Sequence, residues 1–295
     1  MNANQYLAST AGVSGTFAVS EWPTVESMFT YLYAIEGNMR VRPAFNDESW
    51  TGRNIENFAH LSTETYRMEP HEVEEAQQYA DEFATLFSDL VPDFQSRMGW
   101  TENRGKCNVS RILAGSERFR RTRIRRRSAP PTITLTVNMW TSGFVGQECI
   151  RMRASALGAL ASILEGRGAR VRILGTYSGR NTHGNDQHHM AIVVLKDFHQ
   201  RTNFATSLGV LSPWFYRTAL FGTININDNQ HGTAGRNGGN PRLDDDQIRD
   251  ICRLDGTVTR FANSLPGSED RCRQLLENEA RRVVEALREQ MEASR

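Results

Sequence analysis

The stretch that decides the fold covers residues 132–180. It opens with Ile133-Thr134-Leu135-Thr136-Val137, breaks into Asn138-Met139-Trp140-Thr141-Ser142-Gly143, and closes with Val171-Arg172-Ile173-Leu174-Gly175-Thr176-Tyr177-Ser178-Gly179-Arg180. Runs rich in β-branched residues that end in polar, glycine-bearing turns read as strands. Between them Ile150, Ala154, Leu157, Ala161 and Leu164 recur at three- or four-residue intervals, the period of a helix with one apolar side. Gly158 and Ala159 are small enough for close approach to a sheet, and Gly166 and Gly168 stop the helix. Two neighbouring strands joined by such a helix are most simply parallel, so the unit predicts a right-handed βαβ crossover. A third strand fits His189-Met190-Ala191-Ile192-Val193-Val194-Leu195, a nearly continuous apolar run of the kind central strands show.

Outward from this unit, residues 1–20 are small and polar and predict a loosely held arm. Met28, Phe29, Leu32, Tyr33 and Ile35 predict a first helix ended by Gly37-Asn38, and Ile55, Phe58 and Leu61 a helical turn after Trp50-Thr51-Gly52. Pro70 opens a helix whose apolar side carries Val73, Ala76, Tyr79, Ala80, Phe83, Leu86 and Phe87. Glu69, Glu72, Glu74 and Glu75 crowd its first turn, where the helix dipole favours them. Helical pieces are expected at 203–208 and 213–221, and an Asn/Gly-rich surface loop over 225–241. Asp244-Asp245-Asp246 caps a helix through Ile248 and Ile251, and a last helix over about 268–291 carries Leu275, Leu276, Val283, Val284, Leu287 and Met291 on one side, to dock on the body or on a partner copy.

The expected fold class is therefore α/β, an open, mostly parallel sheet flanked by helices, with an N-terminal helical region and a C-terminal helix. The expected domains are a mainly helical region over 1–110, an Arg-rich connector over 111–131, the α/β domain over 132–262 and the C-terminal helix over 263–295.

Bulk composition narrows the function only a little. In 295 residues, 35 Lys plus Arg nearly cancel 34 Asp plus Glu, so any electrostatic partner must be met by local clustering. No apolar run reaches the length that spans a bilayer, and the N-terminus lacks a basic region followed by an apolar one, so a soluble, unexported chain is expected. Cys107, Cys149, Cys252 and Cys272 form no Cys-x-x-Cys pair, which argues for buried reduced thiols rather than a zinc site.

The local cluster lies within the seventeen residues from Arg111 to Arg127. Arg111, Arg118, Arg120, Arg121, Arg123, Arg125, Arg126 and Arg127 are opposed only by Glu117. Guanidinium groups at that density can pair with successive phosphates of a nucleic acid. The other readings of the run are a solvated basic strand, or compensation by the acidic helix that starts at Pro70.

In an open parallel sheet, ligands gather at the carboxyl ends of the strands. That rule selects the segments 138–143, 177–183 and 196–199. The first resembles the metal-ion loop of von Willebrand factor A-type domains, in which a strand ends in Asp-x-Ser-x-Ser. In the frame Asn138-Met139-Trp140-Thr141-Ser142 only the last Ser is kept; Asn replaces the Asp and Trp the middle Ser, so the anionic oxygen that Mg²⁺ favours is missing. Asn138 and Ser142 are the only candidate ligands for Mg²⁺ in such a degenerate site, and no cofactor is expected. The order Ser49-Trp50-Thr51-Gly52, Asn108-Val109-Ser110-Arg111-Ile112-Leu113-Ala114-Gly115, the Arg run, Pro130-Pro131 and the strand to Asn138 resembles an uncharacterised domain family of tailed bacteriophages with a von Willebrand A-like core. The resemblance implies a phage-encoded protein acting in the host cytoplasm or the virion.

His183, His188, His189 and His199 lie close in sequence but lack a metal-ligand spacing, and read as solvated loop histidines. No phosphate-binding loop, dinucleotide fingerprint or Gly-x-Ser-x-Gly frame is present. Three functions follow as expectations. The first is a non-catalytic interaction or scaffold protein, touching another protein through Asn138, Trp140, Thr141, Ser142, Tyr177, Ser178, Arg180 and His183. The second is a nucleic-acid-binding protein of genome packaging or replication, using Arg118, Arg120, Arg121, Arg123, Arg125, Arg126 and Arg127. The third is a metal-dependent hydrolase using Asn138, Asp186, Asp197 and nearby histidines.

Overall fold

The β-branched run and the helix after it form, as expected, the middle of an α/β structure. The computed structural model describes residues 4–36, 53–66, 69–101, 106–109, 113, 120–125, 130–139, 145–180, 187–200, 209–215 and 243–293, with breaks at 14, 95, 213–214 and 263. The strands are β1 (Asn4–Ala8), β2 (Thr16–Trp22), β3 (Ser96–Thr101), β4 (Lys106–Cys107), β5 (Arg120–Arg125), β6 (Thr132–Asn138), β7 (Arg170–Arg180), β8 (Gln187–Lys196) and β9 (Thr257–Arg260). The helices are α1 (Val25–Glu36), α2 (Phe58–Tyr66), α3 (Pro70–Ser88), α4 (Gln147–Gly166), α5 (Asp245–Ile251) and α6 (Glu269–Ala293).

Six strands make the main sheet in the order β1-β2-β8-β7-β6-β9. β6 pairs in parallel with β7 and with β9, β2 in parallel with β8, and the β1–β2 and β7–β8 pairs are antiparallel. The sheet is therefore mixed but mostly parallel. Alternation along each strand divides the core into two layers. On one face Ile133, Leu135, Val137, Val171, Ile173, Tyr177, Ala191 and Val193 join the apolar residues of α1, α4 and α6. On the other, Phe17, Val19, Leu174, Met190, Ile192, Val194 and Val258 pack with Leu243, Ile248 and Ile251 around α5. Helix α3 packs along α4, and α6 lies against α4 and β9. That arrangement encloses α4 on several sides, which is why Met152, Ala156 and Leu160 are buried along with the predicted apolar stripe.

Two expectations are corrected. The described part of residues 1–20 is not a loose arm. These residues supply β1 and β2, and Phe17, Val19 and Trp22 are core residues because β2 lies inside the sheet, between β1 and β8. The central apolar run 189–195 lies in β8 as expected, but it runs antiparallel to β7. Its end, residues 196–199, is consequently at the opposite edge of the sheet from Asn138. There Lys196 is buried, 2.5 Å from Glu165 and donating to the Val171 carbonyl at 2.7 Å, while Asp197 faces Arg172 at 3.6 Å. A register shift between Ile173 and Leu174 pairs Lys196 with Ile173, so the bulge brings the lysine to the layer that holds α4.

The start of α5 follows the expected capping. Asp244 Oδ1 accepts from the Gln247 N–H at 2.8 Å and Gln247 Oε1 accepts from the Asp244 N–H at 2.9 Å, closing a capping box at α5. Helix α6 docks on the body, burying Cys272, Leu276, Ala280, Val283, Val284 and Leu287. Asp245 ties it down, with its carboxylate 2.6 Å from Arg260 Nε and 2.7 Å from Arg282 Nη1. The acidic start of α3 is matched by Arg53 and Arg151. Glu72, 6 % exposed, accepts from the Glu69 N–H at 3.1 Å, pairs with Arg53 and lies 3.8 Å from Arg151.

Candidate functional site

Two places bring together the residues singled out in the sequence. The first is the carboxyl edge of β6 and β7. Asn138 ends β6 and pairs in register with Thr176; Ser178 stands opposite Met190, Gly179 opposite His189 and Arg180 opposite His188. Because β8 is antiparallel, its first residues, not its last, share this edge, and β2 brings Phe17 beside His188 and Ala18 beside His189.

The edge is built inward. Asn138, Tyr177 and Ser178 are all buried, so their side chains belong to the packed sheet and do not offer the partner surface expected of them. His188 and His189 are likewise buried strand residues, not solvated loop histidines, and the His188 ring stacks on Phe17 with centroids 4.9 Å apart. His199 alone of the described members of that group is exposed. Trp140, Thr141, Ser142, His183 and Asp186 lie outside the described residues, and Arg180 is described only as a strand position.

Beneath the edge sits a residue that the sequence reading passed over. Arg153 lies three residues after Ile150 and four before Leu157, within the buried stripe of α4, and is 1 % exposed. Its Nη1 donates to the Asn138 carbonyl at 2.8 Å. A guanidinium is thus fixed on the last carbonyl of β6, holding the end of the strand against α4. Asp197, proposed with Asn138 for metal chemistry, is at the other edge, about 13 Å away along the strand direction alone at the usual rise per residue. Among the described residues no group of three His, Cys, Asp or Glu side chains gathers to hold a metal.

The thiols behave in two ways. Cys149, Cys252 and Cys272 are buried as expected, and Cys107, at the end of β4, is exposed. Burial pushes the Cys252 and Cys272 thiols up to about 12, which leaves both protonated and unreactive in the folded chain.

The second place is the arginine run. Arg120–Arg125 is the central strand of a separate three-stranded antiparallel sheet in the order β3-β5-β4. Its register sets Arg121 opposite both Trp100 and Lys106, Arg123 opposite Met98, and Arg125 opposite Ser96. Residues directly opposite on antiparallel strands share a face, and alternate residues of one strand do so too. Positions 121, 123 and 125 therefore share one face with Lys106, while Arg120 and Ile124 share the other with Cys107 and Arg97. Arg121 and Lys106 are exposed and Arg120 is half-buried. Arg118, Arg126 and Arg127 lie outside the described residues. The density of arginine was plain in the sequence, but their division between two faces follows from the strand pairing.

No curated protein matches the chain, and no solved structure does. A family described as a domain of unknown function (DUF7192) matches residues 23–248, a span that includes the basic sheet and the whole β6–α4–β7–β8 unit. The chain belongs to that family.

Proposed function

We propose that this protein binds nucleic acid through the β3–β5–β4 sheet, with successive phosphates lying along β5. The observation that carries the reading is the register that gathers Arg121, Arg123 and Arg125 on one face with Lys106. Alternate residues of a strand are about 6.7 Å apart, close to the separation of neighbouring phosphates along one nucleic-acid strand. Guanidinium groups at that repeat can each take one phosphate and release its counterions. A role in genome packaging or replication of a phage, and a core of the von Willebrand A type, are the finer expectations that accompany this reading, with the α/β sheet as the scaffold that presents the basic strands.

The test is binding of labelled DNA and RNA oligonucleotides followed by fluorescence anisotropy across roughly 0.05–0.3 M salt. Affinity that falls steeply and linearly on logarithmic axes supports the reading. Absence of binding at the lowest salt refutes it. Co-purification of a stoichiometric protein partner, without nucleic acid, would instead favour the interaction role expected of the sheet edge.

A further inference from the structure

Two of the buried thiols meet across a helix contact that phosphate binding does not use. Cys149 is in the first turn of α4 and Cys272 in the first turn of α6, and both belong to the apolar layer that these helices share. Cys272 Sγ lies 3.6 Å from the Cys149 carbonyl oxygen, and the two thiols are also hydrogen-bonded to one another. The other two cysteines are elsewhere: Cys252 packs in the layer on the opposite side of the sheet, and Cys107 is exposed at the end of β4. A disulfide needs two sulfurs that face one another on backbones a few ångströms apart, and sulfurs already in contact meet that demand.

We propose that Cys149 and Cys272 are a pair that closes to a disulfide by exchange with a small-molecule disulfide such as oxidised glutathione, fastening α6 to α4. The first thiolate to form attacks one sulfur of the small disulfide, expels a small thiolate and leaves a mixed disulfide on the protein. The second thiolate attacks the protein sulfur of that intermediate and expels the other small thiolate. One S–S bond is broken and one is made; the two protein thiols are oxidised, and the two small thiolates take up their protons. Burial holds both thiols protonated in the closed fold, so the exchange runs through opening of the first turns of α4 and α6, and helix ends open at the least cost. The bond joins positions roughly 120 residues apart, so it closes a long loop of the unfolded chain and stabilises the fold by restricting that loop.

The experiment incubates the full chain carrying Cys107→Ser with oxidised glutathione, below the thermal midpoint and at mildly alkaline pH, and maps its peptides by mass spectrometry without reduction. The substitution removes the exposed thiol, which would otherwise take up glutathione by itself. A single cross-linked peptide pair containing Cys149 and Cys272, about 2 Da lighter than the two reduced peptides together, is the result expected. The oxidised chain should melt about 5–10 °C higher than the reduced one and return on addition of dithiothreitol. Adding Cys252→Ala should leave the cross-link in place, whereas adding Cys272→Ala should abolish it together with the rise in midpoint. Three free thiols after prolonged oxidation, glutathione left on Cys149 or Cys272, or a bond to Cys252 overturns the pairing. A cross-link that lowers the midpoint overturns the claim that the native fold holds the two sulfurs in place for it.

Discussion

Strand alternation makes a prediction that arginine density alone does not. If phosphates run along one face of β5, replacing Arg121 and Arg123 by Ala removes two contacts, whereas replacing Arg97 and Arg120, assigned by register to the opposite face, removes none. Both double variants lower the net charge by two, so a general electrostatic effect would treat them alike. For a single strand each phosphate contact contributes about 0.7 to the slope of log affinity against log salt, so the first variant should lose about 1.4 of slope. At about 0.1 M salt that slope corresponds to roughly 25-fold in affinity. The Arg97→Ala, Arg120→Ala protein should retain the parent slope within about 0.3 and bind within threefold. Anisotropy titrations at four or five salt concentrations measure both quantities. Equal losses in the two variants would refute the one-face arrangement, and an unchanged slope in both would remove β5 from the interface.

Other outcomes follow from the packing. Glu72→Ala removes the charge between Arg53 and Arg151 and the acceptor for the Glu69 N–H. Breaking a buried pair costs about 3–5 kcal/mol, but Arg53 keeps Glu64 and Arg151 keeps Glu75 at 3.3 Å, so a loss of about 2–3 kcal/mol is expected in urea unfolding followed by circular dichroism. A cost under about 1 kcal/mol would show that Glu72 is not the hub of that cluster. A thiol titration of the native chain should find Cys107 reacting fast and Cys149, Cys252 and Cys272 only as the chain unfolds. Because burial raises the Cys252 and Cys272 thiols from 9.0 to about 12, the folded state holds their protons more tightly than the unfolded one. Their contribution is complete below pH 9 and is lost as pH rises toward 12, so the thermal midpoint should fall over that window, less steeply in Cys252→Ala. Glycine gives a matched pair: a Cβ on Gly209 would lie 1.8 Å from the Thr65 carbonyl oxygen, whereas one on Gly166 meets nothing within 4 Å. Gly209→Ala should cost several kcal/mol, about 3 or more, and Gly166→Ala should raise stability by about 0.5–1 kcal/mol, both measured by urea unfolding.

Much of the main sheet was legible because its signals are local. The β-branched run into Asn138, the period of Ile150, Ala154, Leu157, Ala161 and Leu164, and the return through Val171 and Ile173 lie in one continuous segment, and a helix crossover between neighbouring strands leaves little choice but parallel pairing. Helices α3 and α5 were readable for the same reason, each carrying its own period and its own cap or proline, and α6 through its period alone. Of the candidate sites, the arginine cluster was visible in composition; Arg153 was missed, although a charge placed within the apolar period of α4 was the signal that could have found it.

The tertiary structure decided what depends on pairing between distant segments. Alternating apolar residues look the same in a parallel and an antiparallel strand, so the direction of β8 could not be read from residues 189–195, and with it went the placement of Lys196 and Asp197. The short stretch holding Phe17, Val19 and Trp22 acquires its importance only by lying against β8. Burial of Asn138, Tyr177, Ser178, His188 and His189 likewise arises from neighbours far along the chain. For β5 the sequence determined how many arginines there are and how closely they follow one another. Only its register against β3 and β4 decided which of them stand together, because a strand divides its residues between two faces and its partners determine what else each face carries.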